Sequence, residues 1–296
     1  MKTQLGWAIA AVLAVIAGHG RAEAGLLYFA DNLDNVRTVD PGTTPFTVTT
    51  VGSLGVDFQY SGLDQDPNTN TIYGVAGHSG TGLYTIDPTT GAASLVGSHG
   101  VTDLFGLAFD SKNNVLYGTQ ISSTGQLYQL NTTTGAATAV GPLSGALGIG
   151  GLAYDALRDM LVGWYDFGGD LYAIDRTTGA ATLLVDGPAA RDGGLAYDAD
   201  RDVIWGVDLT NSGTLFSLDP NNGYARTNHL TGLGGSPTGL AYINAPNPNS
   251  ILNNPPNPDP PPALRTPEPT SLAAFGVAGV VMALSAARRR RRRRAG

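Results

Sequence analysis

Short runs of alternating apolar and polar residues fill the middle of the chain, and they recur at a fixed spacing. Residues 151–185 show one cycle. Gly151–Tyr154 is a short run of mainly small residues, and Met160–Tyr165 is a bulkier alternating run. Leu171–Ile174 and Ala180–Val185 complete the set. The connecting segments Ala156–Asp159, Phe167–Asp170 and Asp175–Gly179 carry the Asp, Thr and Gly residues that turn a chain. Period-two alternation predicts strands. No segment before the C-terminal tail sustains a 3.6-residue apolar period, so the cycle predicts four strands and almost no helix.

Two markers give the cycle its length. Gly62-Leu63, Gly106-Leu107, Gly151-Leu152, Gly194-Leu195 and Gly239-Leu240 open successive copies, at steps of 44, 45, 43 and 45 residues. The turns beginning at Asp87, Asn131, Asp175 and Asp219 each end in Gly four residues later and lie 44 residues apart, with Asp40-Pro41 as a degenerate fifth. Repeats of about 40–50 residues with four strands each predict propeller blades. Leu26–Val56 holds only the last three strands of a repeat, and Gly239–Ile243 holds only the first. Joined, they make a fifth blade. The expected fold is therefore all-β, a five-bladed β-propeller over residues 25–243 closed by both chain ends. On pattern alone, the repeats resemble those of NHL and WD40-like propeller proteins.

Composition agrees with this picture. The 41 glycines among 296 residues are about twice the usual share. Most sit at turns or at the start of the first strand, where five strands crowd an axis. Ala108, Ala153, Ala196 and Ala241 suit the same crowding. The chain has no cysteine, which excludes disulfides, thiolate ligands and a cysteine nucleophile.

The chain ends read differently from the body. Lys2 and the thirteen-residue apolar run Leu5–Ala17 precede Ala22-Glu23-Ala24, a small-x-small cleavage site. Residues 1–24 thus read as a signal peptide cut by signal peptidase between Ala24 and Gly25. Residues 244–266 contain eight prolines and read as an extended PPII-like linker. Residues 267–296 hold Pro267-Glu268-Pro269, the uncharged run Leu272–Ala287, and seven arginines: Arg288, Arg289, Arg290, Arg291, Arg292, Arg293 and Arg294. The sixteen-residue run would form a helix about 24 Å long, near the lower limit for a single transmembrane helix. The arginines place the C-terminus in the cytoplasm by the positive-inside rule.

This tripartite end resembles the PEP-CTERM sorting signal of exported bacterial proteins. The resemblance implies processing near Pro267-Glu268-Pro269 by exosortase, a membrane-embedded cysteine protease. It also implies export across the inner membrane of a bacterium that makes exopolysaccharide, with the mature form periplasmic, at the cell surface or extracellular. It implies no activity for the cargo.

Between Gly25 and Arg265 stand 22 aspartates, no glutamate and eight lysines or arginines, a net charge of −14. Such a body repels nucleic acid, so no nucleic-acid partner is expected. Asp198, Asp200 and Asp202 have the opening spacing of a calcium loop, but Val203 and Leu209 stand where an EF-hand needs Gly and Glu. Asx-capped turns account for them, as for Asp110 and Asp155. Asn131-Thr132-Thr133, a sequon by pattern, reads as another such turn. His78, His99 and His229 share no metal-ligand spacing and read as exposed loop residues. No catalytic residue, metal or cofactor is expected. The one candidate ligand site is the mouth formed by loops entering the first strands, which carry Asp57, Asp103 and Asp192. The expected function is a non-enzymatic surface or matrix-associated platform for a glycan, such as exopolysaccharide, or for a protein. The alternative is a polysaccharide hydrolase or lyase.

Overall fold

The computed structural model describes residues 25–146, 148–187, 192–209 and 212–244. The segments expected to be a signal peptide, a linker after Asn244 and a sorting motif, with the apolar run and the arginines, lie outside the described residues. Among the described residues no helix is long and apolar enough to cross a membrane.

Twenty strands form five four-stranded antiparallel sheets. Blade 2 is β4 (Gly62–Asp66), β5 (Thr71–Val75), β6 (Gly82–Ile86) and β7 (Ala93–Ser98). Blade 3 is β8 (Leu104–Asp110), β9 (Val115–Gln120), β10 (Gln126–Leu130) and β11 (Ala137–Pro142). Blade 4 is β12 (Ile149–Asp155), β13 (Met160–Tyr165), β14 (Leu171–Ile174) and β15 (Ala181–Val185). Blade 5 is β16 (Asp192–Asp198), β17 (Val203–Asp208), β18 (Thr214–Asp219) and β19 (Ala225–Thr231). Blade 1 is composite: β20 (Pro237–Ile243) pairs antiparallel with β1 (Leu26–Asp31), followed by β2 (Asn35–Val39) and β3 (Val48–Ser53). The four strands read in residues 151–185 are β12 to β15, with β12 starting two residues earlier at Ile149.

Each blade is covered on both faces, so the core is five seams between neighbours rather than one centre. Strand β1 shows how period two builds them. Leu27 and Phe29 enter the seam with blade 5, beside Trp205, Val207 and Leu215. Tyr28 and Ala30 enter the seam with blade 2, beside Leu63, Ile72 and Ile86. The remaining seams lie between blades 2 and 3, 3 and 4, and 4 and 5.

The inner strands β4, β8, β12, β16 and β20 pack in that order around the axis, and β20 closes on β4. The opening glycine of each repeat faces the next inner strand. A Cβ on Gly151 would lie 2.9 Å from the Gly193 carbonyl, and one on Gly239 would lie 2.8 Å from the Leu63 amide. Gly62 and Gly194 are equally confined, while a Cβ on Gly106 would meet the Thr119 side chain of its own blade first. Only a residue without a side chain allows this approach.

Turns form as their sequences dictate. Asp87 Oδ1 accepts the amides of Thr89 and Thr90, and Gly91 takes a φ of 78°. Asn131 and Asp175 repeat the arrangement. Asp219 caps the 3-10 turn Pro220–Asn222. Where inner strands hand over to second strands, Asn70, Asn114, Asp159 and Asp202 take left-handed backbone, a conformation that Asn and Asp tolerate best.

Candidate functional site

The inner strands all run from one mouth of the ring to the other, and the two mouths differ in chemistry. At the exit mouth, each inner strand of blades 3, 4 and 5 ends in a buried aspartate whose oxygens are fully engaged. Asp198 accepts the Asp200 and Arg201 amides, the Arg201 guanidinium at 2.8 Å and the Trp205 indole at 3.0 Å. Asp155 accepts the Leu157 and Arg158 amides and the Arg158 guanidinium. Asp110 accepts the Lys112 and Asn113 amides and pairs with Arg176.

These basic side chains also bridge blades. Arg158 of blade 4 reaches Asp202 of blade 5 at 2.7 and 2.9 Å, and Arg176 and Lys112 converge on Asp159. Hydrogen bonds from Lys112 and Tyr154 hold the Asp159 carboxyl down at about 2. Arg158 holds Asp202 well below the usual carboxylate range. The Asp198-Asp200-Asp202 series is therefore a capped turn tied to arginines. Among the described residues no group of three acidic or histidine side chains is arranged to hold a metal ion.

The entry mouth has a different lining. A recess of about 50 Å³ on the axis is lined by Tyr60, Ser61, Phe105, Gly150, Asp166, Gly193 and Thr238. Ser61 leads into β4, Phe105, Gly150, Gly193 and Thr238 lie on the other four inner strands, and Asp166 comes from the β13–β14 loop. All five blades thus contribute. Ser61 Oγ and Thr238 Oγ1 share a hydrogen bond of 2.9 Å. Asp166 is anchored through its amide to the Gly148 carbonyl at 2.8 Å, while its buried Oδ1 has no hydrogen-bond partner. Burial without a compensating cation pushes its carboxyl up to about 7.

Aromatic rings border the recess. Tyr60, His78 and Phe105 form an edge-to-face cluster with ring centroids 4.5, 5.6 and 6.0 Å apart. Tyr60 is 48% exposed, and Phe167, next to Asp166, is 69% exposed. Tyr60, His78 and Asp103 all take left-handed backbone, with φ of 53°, 52° and 57°. Asp103 and His78 are joined through the Asp103 amide and the His78 carbonyl at 2.7 Å, and their side chains lie 3.5 Å apart. Beyond Tyr60 a wider hollow of about 560 Å³ is lined by Asp57, Gln59, Gly77, His78, Ser79 and Gly80.

The three aspartates singled out in the sequence fall on this mouth in different ways. Asp57 lines the wider hollow, its Oδ1 accepting the Gln59 amide at 3.1 Å. Asp103 faces His78 at the hollow's edge. Asp192 is the first residue of β16, beside Gly193 of the recess. Gly25 is the first described residue and directly precedes β1. Asp166, the carboxylate on the axial recess, carries no sequence marker, because the β13–β14 loop is not one of those entering an inner strand.

Two histidines differ from their expected exposure. His99 is buried at the end of β7, its Nδ1 accepting the Val101 amide at 3.3 Å. His229 lies on outer strand β19, bonded to Ser217 at 2.7 Å and packed against Phe46 and Trp205. Burial depresses both imidazoles. Of the described histidines, only His78 is an exposed loop residue.

No protein-family model matches the chain, and no curated protein matches it in sequence. Solved structures share its fold. A chain of a nidogen/laminin complex superposes with a TM-score of 0.52 at 14% identity, over 74% of this chain and 82% of that one. A protein of unknown function from Bacteroides thetaiotaomicron superposes with a TM-score of 0.53 at 15% identity, over 76% and 66%. At such identities the likeness is one of fold. By its strand order, the described part of the chain is a five-bladed β-propeller.

Proposed function

We propose that this is an exported, non-enzymatic propeller protein of the cell surface or extracellular matrix that binds glycan at its entry mouth. The carrying observation is the asymmetry between the two mouths. Exit-mouth carboxylates are consumed by turns and arginines, whereas the entry mouth offers an unpartnered carboxylate, shared hydroxyls and exposed rings around one concavity. Buried unsatisfied polar atoms and left-handed non-glycine backbone are costly, and both gather at functional sites. A concavity with a few convergent polar groups is the usual form of a small-ligand site.

Export rests on the two sequence ends: the signal peptide cut before Gly25, and the PEP-CTERM-like tail whose Pro267-Glu268-Pro269 exosortase would process. The tail would anchor the precursor in the membrane with its arginines in the cytoplasm. Intact-mass measurement of protein from its native host tests this, with an N-terminus at Gly25 and loss of the arginines as the expected result. For the binding function, a glycan array coupled to an assay for released sugar is the test. Retention without release is expected, and turnover would replace this reading with a polysaccharide hydrolase or lyase.

A further inference from the structure

The entry mouth has a chemical preference that narrows its ligand. We infer that it recognises a protonated primary amine carried on a sugar ring, in a glycan with free amino groups. This inference rests on the reading of the entry mouth as a glycan site.

The axial recess is too small for a sugar ring, and about 50 Å³ suits a single head group. An ammonium group has three donors and no acceptor. The recess supplies the complement: the Asp166 carboxylate and the hydroxyl oxygens of Ser61 and Thr238. No lysine or arginine among the described residues lines the recess or the hollow beside it. Tyr60 and Phe105 lie on the rim, and aromatic faces attract cations through the ring quadrupole.

The wider hollow accounts for the rest of the ligand. Asp57, Gln59 and Ser79 give it acceptors and donors suited to ring hydroxyls. A uronic acid would meet Asp57, Asp103 and Asp166 and the −14 charge of the body with its own negative charge. An N-acetylated sugar would offer Asp166 one neutral N–H in place of the three charged donors of an ammonium, and would bring an acetyl group that a recess of about 50 Å³ must hold as well.

Calorimetric titration of the full chain with four probes tests this: a glucosamine oligomer, its N-acetylated counterpart, a uronic acid oligomer and an oligolysine of equal charge. The glucosamine oligomer is expected to bind at least about tenfold more tightly than the other three, the contrast expected when a buried charged group gains or loses its partner. Asp166→Asn and Tyr60→Ala should each remove that advantage. Asp166→Asn should melt no lower than wild type, because Oδ1 has no partner to lose and a neutral amide avoids the cost of the buried charge. Arg191, outside the described residues, precedes Asp192, and Arg191→Ala should preserve the preference. Equal binding of the N-acetylated oligomer would overturn the amine preference and keep the glycan site. Equal binding of oligolysine, an unaffected Asp166→Asn variant or a lost preference in Arg191→Ala would also overturn it. Binding to no sugar at all would remove the glycan reading itself.

Discussion

Asp64 is the residue at which the repeat departs from itself most sharply. Blades 3, 4, 5 and 1 carry Ala108, Ala153, Ala196 and Ala241 at the same place in the inner strand, while blade 2 carries a carboxylate. Asp64 spans the first seam, accepting the Phe109 amide of blade 3 at 2.6 Å and the Gln65 amide at 2.8 Å. Burial outweighs these bonds and pushes its carboxyl from 3.8 up to about 7. Between those values the folded chain holds a proton that the unfolded chain has released. Stability therefore falls as pH rises from about 4 to about 7 and stays reduced above that. Asp166 acts with the same sign. Asp159 and Asp175, held at about 2 by hydrogen bonds, act with the opposite sign, and their contribution is lost as pH falls below about 4. Asp64→Ala restores the repeat's own choice. It should raise the melting temperature at pH 8 by about 5 °C or more, as removal of a penalty of about 2–4 kcal/mol implies. Near pH 4 the variant should be no more stable than wild type, since the bonds from the Phe109 and Gln65 amides are lost. A temperature difference that did not change with pH would refute the assignment. The same contrast explains which residues were legible in the sequence. Capping aspartates such as Asp87 and Asp175 act within three residues and show themselves in the local pattern. Asp166 and Asp64 owe their character to neighbours in other blades or across the axis, which one linear sequence does not bring together.

Strands were the most legible elements, since period two sends alternate residues of the inner and middle strands into the seams on either side, and only the outermost strands such as β7 and β11 are largely exposed. Loops entering the inner strands were the least legible. Their shape comes from left-handed residues such as Tyr60 and Ser236, whose identities do not announce that backbone, whereas Asn70 and Asp202 do. Glycines separate into two kinds that the sequence alone does not distinguish. Gly100 has a φ of 72° and open space where a Cβ would go. Gly194 has ordinary backbone, but a Cβ there would press on the Leu240 amide and lie 2.8 Å from the Gly239 carbonyl carbon. Neither of those atoms can yield without moving β20. Gly100→Ala should cost about 1 kcal/mol, the usual price of a left-handed alanine. Gly194→Ala should cost about 3 kcal/mol or more, because two inner strands must separate. Urea unfolding of both variants checks the ordering. The reverse order would mean that the inner ring is less tightly closed than its glycines imply.

Closure governs the molecule as a whole. Blade 1 takes its inner strand from one end of the described chain and its other three strands from the opposite end. Leu240 and Tyr242 of β20 fill the seam with blade 5, and Ala241 fills the seam with blade 2. Removing β20 would therefore open two seams together and take one neighbour from each of β1, β16 and β4. It would also expose the inner edge of β1, the kind of unpaired edge that a closed ring avoids. Repeat proteins with open ends lose stability one neighbour contact at a time, but a ring has no weak end from which to fray. The expected result is a sharp dependence on chain end. A chain of residues 25–244 should melt in one cooperative transition at the temperature of the full chain. A chain of residues 25–236 should lose that transition and aggregate. Calorimetry with size-exclusion chromatography reads both outcomes. If the shorter chain still melted cooperatively at a similar temperature, blade 1 would be stable with three strands, and the strand shared between the chain ends would not be what holds the ring together.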